Sequence, residues 1–311
     1  MQPSPSSVDS IIHHSTLIIH HSTLIIHHSS FIILKIDSHH HLWNYSAQEF
    51  DWIGDNMTVL KRDFKPGDLA PLLANAGITG SVAVQARTSL EENDFLLKHA
   101  RQNPFIKAVV GWADLTQDGV ADTIAPYAKH GVFKGIRHVL QGEPDDAYCL
   151  RDDFNRGLSR LHDLGLVYDI LIHHRHLPNS IKMVDRHPDQ IFILDHIAKP
   201  RIQSPTPDPA WAKNLRQLAK REHVFCKISG MTTEVPADTQ WTPDLLRRYF
   251  DLVLESFEPA RLMFGSDWPV ALLRSDYQSW FQTVQAFTAD LSPDEQKQIF
   301  GLTAAHAYGI G

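Results

Sequence analysis

Asp37-Ser38-His39-His40-His41-Leu42-Trp43 carries more potential chemistry than any other stretch of this 311-residue chain. It follows Phe31 to Ile36, a short apolar run that reads as a β-strand. Side chains alternate between the two faces of a strand. Asp37, His39 and His41 are therefore expected on one face, and Leu34, Ile36, Ser38 and His40 on the other. Two imidazoles two residues apart can converge on one divalent cation, since histidine is the commonest metal ligand. They can equally polarise an oxyanion. Either use would make this the first wall of a hydrolytic site. The plainer reading is a solvated histidine cluster that extends a His-rich tract upstream.

That tract is a seven-residue repeat, IIHHSTL-IIHHSTL-IIHHSSF, over residues 11–33, and it holds six of the twenty histidines. A coiled coil is excluded, because the apolar residues come as adjacent β-branched pairs without flanking charges. A signal peptide would need a positive start, yet the first Lys or Arg is Lys35. The near-perfect repetition reads as translated repetitive DNA, with Leu34 as the true start. Residues 1–33 are expected to be a disordered or mis-started extension, and residues 34–311 the folded domain.

Hydrophobic residues make up 43% and charged residues 21%, with a net charge of −7. This suits a globular protein and gives no reason to expect nucleic acid or an anionic membrane as partner. No apolar run approaches the ~20 residues of a membrane span. The two cysteines, Cys149 and Cys226, do not make a disulfide framework, and a cytoplasmic location fits. No G-x-S-x-G elbow offers a serine nucleophile.

From Leu34 onward, strand and helix patterns alternate eight times. The strands are short and apolar, as parallel strands buried on both faces must be. The length is close to the ~250 residues of a (β/α)8 TIM barrel. A doubly wound sheet is the alternative, but no glycine-rich phosphate turn follows the first strand. Residues 44–67 read as a long aromatic loop suited to capping a pocket. Asp208-Pro209, Thr242-Pro243 and Ser292-Pro293-Asp294-Glu295 read as helix starts, the last opening one terminal helix. In such barrels the site lies at the C-terminal ends of the strands. Those ends carry His39 and His41, Gln85, Trp112 and Asp114, Arg137-His138, His173-His174, Asp195-His196 with Lys199 beyond, Lys227 and Ser229, and Ser266-Asp267-Trp268-Pro269. Taken singly, His173, His174 and Lys227 read as solvated, and Asp195 as a turn cap.

Ile36–Trp43, Val84-Gln85-Ala86, Gly111-Trp112, Gly135-Ile136-Arg137-His138, Leu194–Pro200, Cys226–Gly230 and Phe264–Pro269 resemble the amidohydrolase-superfamily branch that contains L-fuconolactonase and L-rhamnonolactonase. The resemblance spans everything after residue 34. It implies a (β/α)8 barrel that hydrolyses a sugar-acid lactone. It maps the metal-ligand positions onto His39, His41, His196 and Asp267, with His40 pointing away. One divalent ion is implied, zinc the first choice, or none, since some lactonases of the branch work without metal. Lys199 lies past its strand, which argues against a two-metal site. Asp267 is then the general base and His196 a catalytic partner, while Gln85, Trp112, Arg137, His138, Lys199 and Trp43 bind substrate. The implied partner is a small-molecule lactone; the oligomeric state, homodimer included, stays undecided. Two rival readings remain: a metal-dependent decarboxylase of the same superfamily, and a non-enzymatic His-rich metal-binding protein.

Overall fold

The computed structural model describes residues 34–311. The heptad repeat lies outside the described residues, and with it the expectation that it is disordered or precedes the true start. Eight parallel strands follow one another around a single sheet: β1 Ile36–His40, β2 Gly80–Val84, β3 Ile106–Gly111, β4 Phe133–His138, β5 Val167–Ile170, β6 Phe192–Leu194, β7 Val224–Ile228 and β8 Leu262–Phe264. Helices fill the connections: α1 Pro66–Ala76, α2 Leu90–Gln102, α3 Val120–Ala128, α4 Asp152–Asp163, α5 Leu177–Asp185, α6 Pro209–Ala219, α7 Pro243–Phe257 and α8 Tyr277–Phe287, followed by α9 Pro293–Lys297 and α10 Thr303–Ala307. This is the expected (β/α)8 barrel. None of the described helices is long and apolar enough to cross a membrane.

The helix starts lie where the sequence places them. Asp208 accepts the Trp211 amide, Thr242 that of Leu245, and Ser292 and Glu295 form a reciprocal capping box. The helices bury one face against the strands; in α7 that face is Leu246, Tyr249, Phe250, Val253 and Phe257. The barrel interior has its own apolar layer, which includes Ile36, Val82, Val84, Val110, Ile193 and Met263.

The first strand departs from strict alternation. Asp37 pairs with Ser81 but His40 with Ala83, so three steps on β1 oppose two on β2. An extra residue of this kind is a β-bulge, and it reverses the facing of all that follows. Ile36 thus faces the interior layer, and so do His39 and His41. Asp37 does not share their face: its carboxylate accepts from Tyr277 Oη of α8 at 3.1 Å and from the Ser266 amide at 2.8 Å. His40 turns outward as expected, its Nε2 3.0 Å from Ser81 Oγ.

The terminal helix is also not one piece. A π-helical turn, Gln298–Leu302, separates α9 from α10. At its centre a Cβ on Gly301 would overlap the Leu34 carbonyl oxygen. This contact lets the C-terminal segment close against the start of β1, with Ala304, Ala307 and Tyr308 joining the barrel's interior layer. Gly301→Ala is expected to lower stability by about 1–3 kcal/mol, the usual cost of overpacking, as measured by urea unfolding.

Candidate active site

Beyond the last residue of β8 the chain runs alongside the end of β1. The Asp267 amide donates to the His39 carbonyl at 2.8 Å, and the His41 amide to the Trp268 carbonyl at 2.7 Å. Residues 228 and 227 positions apart in sequence are thereby held side by side. Asp267 itself sits at φ 55°, in the left-handed region that Asp and Asn tolerate best. After β6 the chain takes a sharper course. His196, Ile197, Ala198 and Lys199 stand at φ 52°, 50°, 62° and 46°, a full left-handed turn without glycine. Each such residue costs roughly 1–2 kcal/mol, and strain of this kind collects at functional sites. Its local effect is clear. Asp195 and His196 are consecutive, and in a pleated strand they would face opposite ways, yet both reach the same cluster.

The cluster is tight. His39 Nε2 lies 3.1 Å from His41 Nε2. Asp267 Oδ1 lies 3.7, 3.5 and 4.0 Å from the Nε2 atoms of His39, His41 and His196. All four residues are buried. His41 Nδ1 is 2.8 Å from the Val84 carbonyl oxygen. A carbonyl only accepts, so Nδ1 carries a hydrogen and Nε2 is the nitrogen that faces the cluster. His196 Nδ1 is tied to Ser229 Oγ at 2.8 Å, which leaves its Nε2 facing inward. Acceptor atoms converging on a carboxylate with few hydrogens to share are what a cation would satisfy. Two ligands at zinc distance across a tetrahedral angle stand about 3.3 Å apart, within the spread seen here. His39, His196 and Asp267 each offer a ligand atom within 4.8 Å of the others. The residues present therefore fit a divalent ion.

Burial holds the His39 imidazole well below its ordinary range and lowers His196 to about 4. Burial pushes the Asp267 carboxyl up, but the surrounding histidines, His196 foremost, outweigh it and hold the carboxyl well below the carboxylate range. At neutral pH the site thus presents neutral His39 and His196 rings and a carboxylate.

Beneath the cluster lies a second set of buried charges. Arg137 Nη1 is 3.1 Å from Asp195 Oδ2, and Lys227 Nζ is 2.9 Å from Asp195 Oδ1 and 2.5 Å from Asp169 Oδ2. Arg137 also clamps Gln85, donating to its Oε1 at 2.6 Å and to its backbone carbonyl. Two cations face two carboxylates, so no charge is left unpaired where an isolated one would be prohibitive.

A profile of the Amidohydrolase family matches residues 36–310. The chain belongs to the amidohydrolase family. It is 38% identical over 290 residues to an L-fucono-1,5-lactonase of Burkholderia multivorans, covering 89% of this chain and 96% of the relative. A protein of the same name from Burkholderia ambifaria is 36% identical over 282 residues, with the same coverage. Among solved structures, an amidohydrolase of Burkholderia multivorans with bound zinc superposes with a TM-score of 0.86 at 39% identity, over 89% of this chain and all of the other.

In this amidohydrolase the expected residues divide into two groups. His39, His41, His196 and Asp267 come together, with Arg137 Nη1 3.4 Å from His39 Nε2 and Gln85 held by Arg137. Lys199 closes the left-handed turn nearby. Trp112 is half-buried at the end of β3, its Nε1 3.4 Å from His138 Nδ1. The His138 ring instead stacks on Tyr148 and bonds Glu143 at 2.6 Å, on the side of its strand away from Arg137. Trp43 is fully buried within the aromatic loop, edge-on to Trp52 and Phe64. His173 and His174 are half-buried and stand outside the cluster. Lys227 is buried, not solvated, and Asp195 is an ion-pair partner rather than a simple cap. Asp169, Tyr308 and Glu234 did not stand out in the sequence. Glu234, in the loop after β7, has its carboxyl raised to about 7 by burial, opposed by Lys199 and reinforced by Asp267.

Gly230 abuts the site at φ 64°, and a Cβ there would lie 2.7 Å from His196 Nδ1. Gly230→Ala should push that ring off Ser229. We expect affinity for a divalent ion to fall at least tenfold, as when an outer partner of a ligand is lost, in competition with a chelating dye, with little change in far-UV circular dichroism.

Proposed function

We propose that this enzyme hydrolyses a sugar-acid lactone, an aldonolactone of the L-fucono- or L-rhamnono- type, and that Asp267 is its general base. The observation that carries the reading is the convergence of one buried carboxylate and three imidazoles on a common point, in a chain 38% identical to an L-fucono-1,5-lactonase. Water attacks the ester carbonyl as Asp267 takes its proton. The carbonyl π electrons move to oxygen, and that oxyanion is stabilised by positive groups lining the cluster, Arg137 foremost. The oxyanion then re-forms the carbonyl, the ring C–O bond breaks, and the leaving oxygen recovers the proton from Asp267. The product is the open hydroxy acid.

Gln85 Nε2 is buried without a partner among the described residues, so it is placed to donate to a lactone oxygen. Trp112 offers a flat face to the sugar, and Lys199 can bind a hydroxyl. Where zinc is bound, His39, His41, His196 and Asp267 would hold it, and it would supply Lewis acidity toward water and carbonyl. An indicator assay across aldonolactones, with and without chelator, tests substrate class and metal need together. Acid release from none of them would overturn the reading.

Asp267→Asn should cut turnover by at least ~100-fold, the lower range for losing a general base. Asn tolerates the same left-handed backbone, so the thermal midpoint should barely move. A variant keeping more than about a tenth of wild-type turnover would contradict the assignment.

The His196 shift sets the pH dependence. Its ring is held at about 4 in the fold against an ordinary value of 6.5. A protonated ring has no lone pair to give, so kcat/KM should be level near neutrality and fall as pH drops toward 4. Between those two values the unfolded chain binds more protons at this residue, so its contribution to stability falls in the same direction. An acid limb centred at 6.5 would count against the buried neutral ring.

A further inference from the structure

The ion lattice does not stop at the residues that face the cluster. Tyr308 Oη, on the residue that follows α10, donates to Asp169 Oδ2 at 2.8 Å. The same oxygen accepts from Lys227 Nζ, which also stands 3.2 Å from His39 Nδ1 and 5.5 Å from the Tyr308 ring centroid. Asp195 Oδ1 competes for that imidazole nitrogen from 3.3 Å. Every group in this column is buried. It runs from the C-terminal segment that closes the barrel floor to a histidine of the catalytic cluster.

The choice at His39 Nδ1 has chemical content. An ammonium can only donate; a carboxylate can only accept. If Lys227 donates, the ring hydrogen is forced to Nε2, where it can serve an oxyanion. If Nδ1 carries the hydrogen to Asp195, Nε2 offers a lone pair, which a metal needs. Arg137 Nη1, also only a donor, faces Nε2 at 3.4 Å, so the position of Lys227 biases the ring's tautomer against it, and Asp169, together with Asp195, holds Lys227. Among the described residues, Asp169 has one neighbour besides Lys227 that donates a side-chain hydrogen bond to it: the Tyr308 hydroxyl.

We propose that Tyr308 is a positioning residue for the catalytic centre: through Asp169 it fixes the Lys227 ammonium, and through Lys227 the hydrogen arrangement of the His39 ring. The kinetic part of this proposal rests on the lactonase reading; the structural part does not. A Tyr308 that served only to pack the floor would contribute stability and leave the His39 ring untouched.

Tyr308→Phe removes one oxygen and keeps the ring. The ring nitrogens of His39 are read by NMR in protein labelled with 15N-histidine, the signal being identified by its loss in His39→Gln. The expected result is a displacement of both His39 nitrogen shifts in Tyr308→Phe. Alongside it, kcat falls about tenfold, the scale of losing an outer partner of a ligand, with KM unchanged within about twofold. Asp169→Asn approaches the same column from its middle and serves if Tyr308→Phe folds poorly. The two changes together should cost little more than Asp169→Asn alone. Wild-type His39 shifts in Tyr308→Phe, displaced shifts with an unaltered kcat, or fully additive losses in the double variant would each overturn the proposal. Should the wild type open no lactone, the lactonase reading fails, and the nitrogen shifts alone still decide the role of Tyr308.

Discussion

Two backbone hydrogen bonds join the ends of the barrel and determine where its chemistry can occur. The Asp267 amide reaches the His39 carbonyl, and the His41 amide reaches the Trp268 carbonyl. They close the sheet, and they also set the spacing between an acid and two imidazoles that the sequence keeps far apart. Asp37 reinforces the seam from outside by accepting the Ser266 amide. Burial raises its carboxyl to about 6 against the hydrogen bonds that lower it, so the seam is held by a group near its titration point in mildly acid solution. Position here comes from main-chain pairing, which leaves the side chains free to face one another.

The second constraint is electrostatic. Arg137, Lys227, Asp169 and Asp195 all lie in the barrel centre, where each alone would be costly. Their pairing cancels charge; removing Asp195 would strand Arg137 and removing Lys227 would strand Asp169, the expensive event for a buried pair. The lattice is thus a weak argument for stability and a strong one for geometry. It lets the cluster above it sit in a low-dielectric setting where hydrogen bonds to developing charge count for more than in water.

Much of this was legible in the sequence because it follows from local rules. Short apolar strands alternating with capped helices give a barrel, and a barrel puts its strand-end residues on one rim. Asp208, Thr242 and Ser292 announced their helices by residue type alone. The β1 bulge was not legible, since a count by twos assumes an unbroken pleat; Asp37 was placed on the wrong face for that reason. The left-handed turn at 196–199 carries no glycine to signal it, so Asp195 read as a turn cap and not as part of a buried ion lattice beside His196. Lys227 looked solvated because its partners come from β1, β5, the turn after β6 and the C-terminal segment. Asp169 was hidden between Tyr168 and Ile170 in an apolar strand.

The surplus residue in the first strand makes that segment sensitive to length more than to composition. Between Asp37 and His40 the pleat is out of phase by one, and the histidines look inward only because of it. Deleting a single residue there would restore a regular strand, sound by every measure of pairing, and turn both imidazoles toward the helices. A lineage drifting through this stretch can exchange side chains one by one, but a frame-preserving loss of one codon would leave an intact barrel with its paired histidines facing the wrong way.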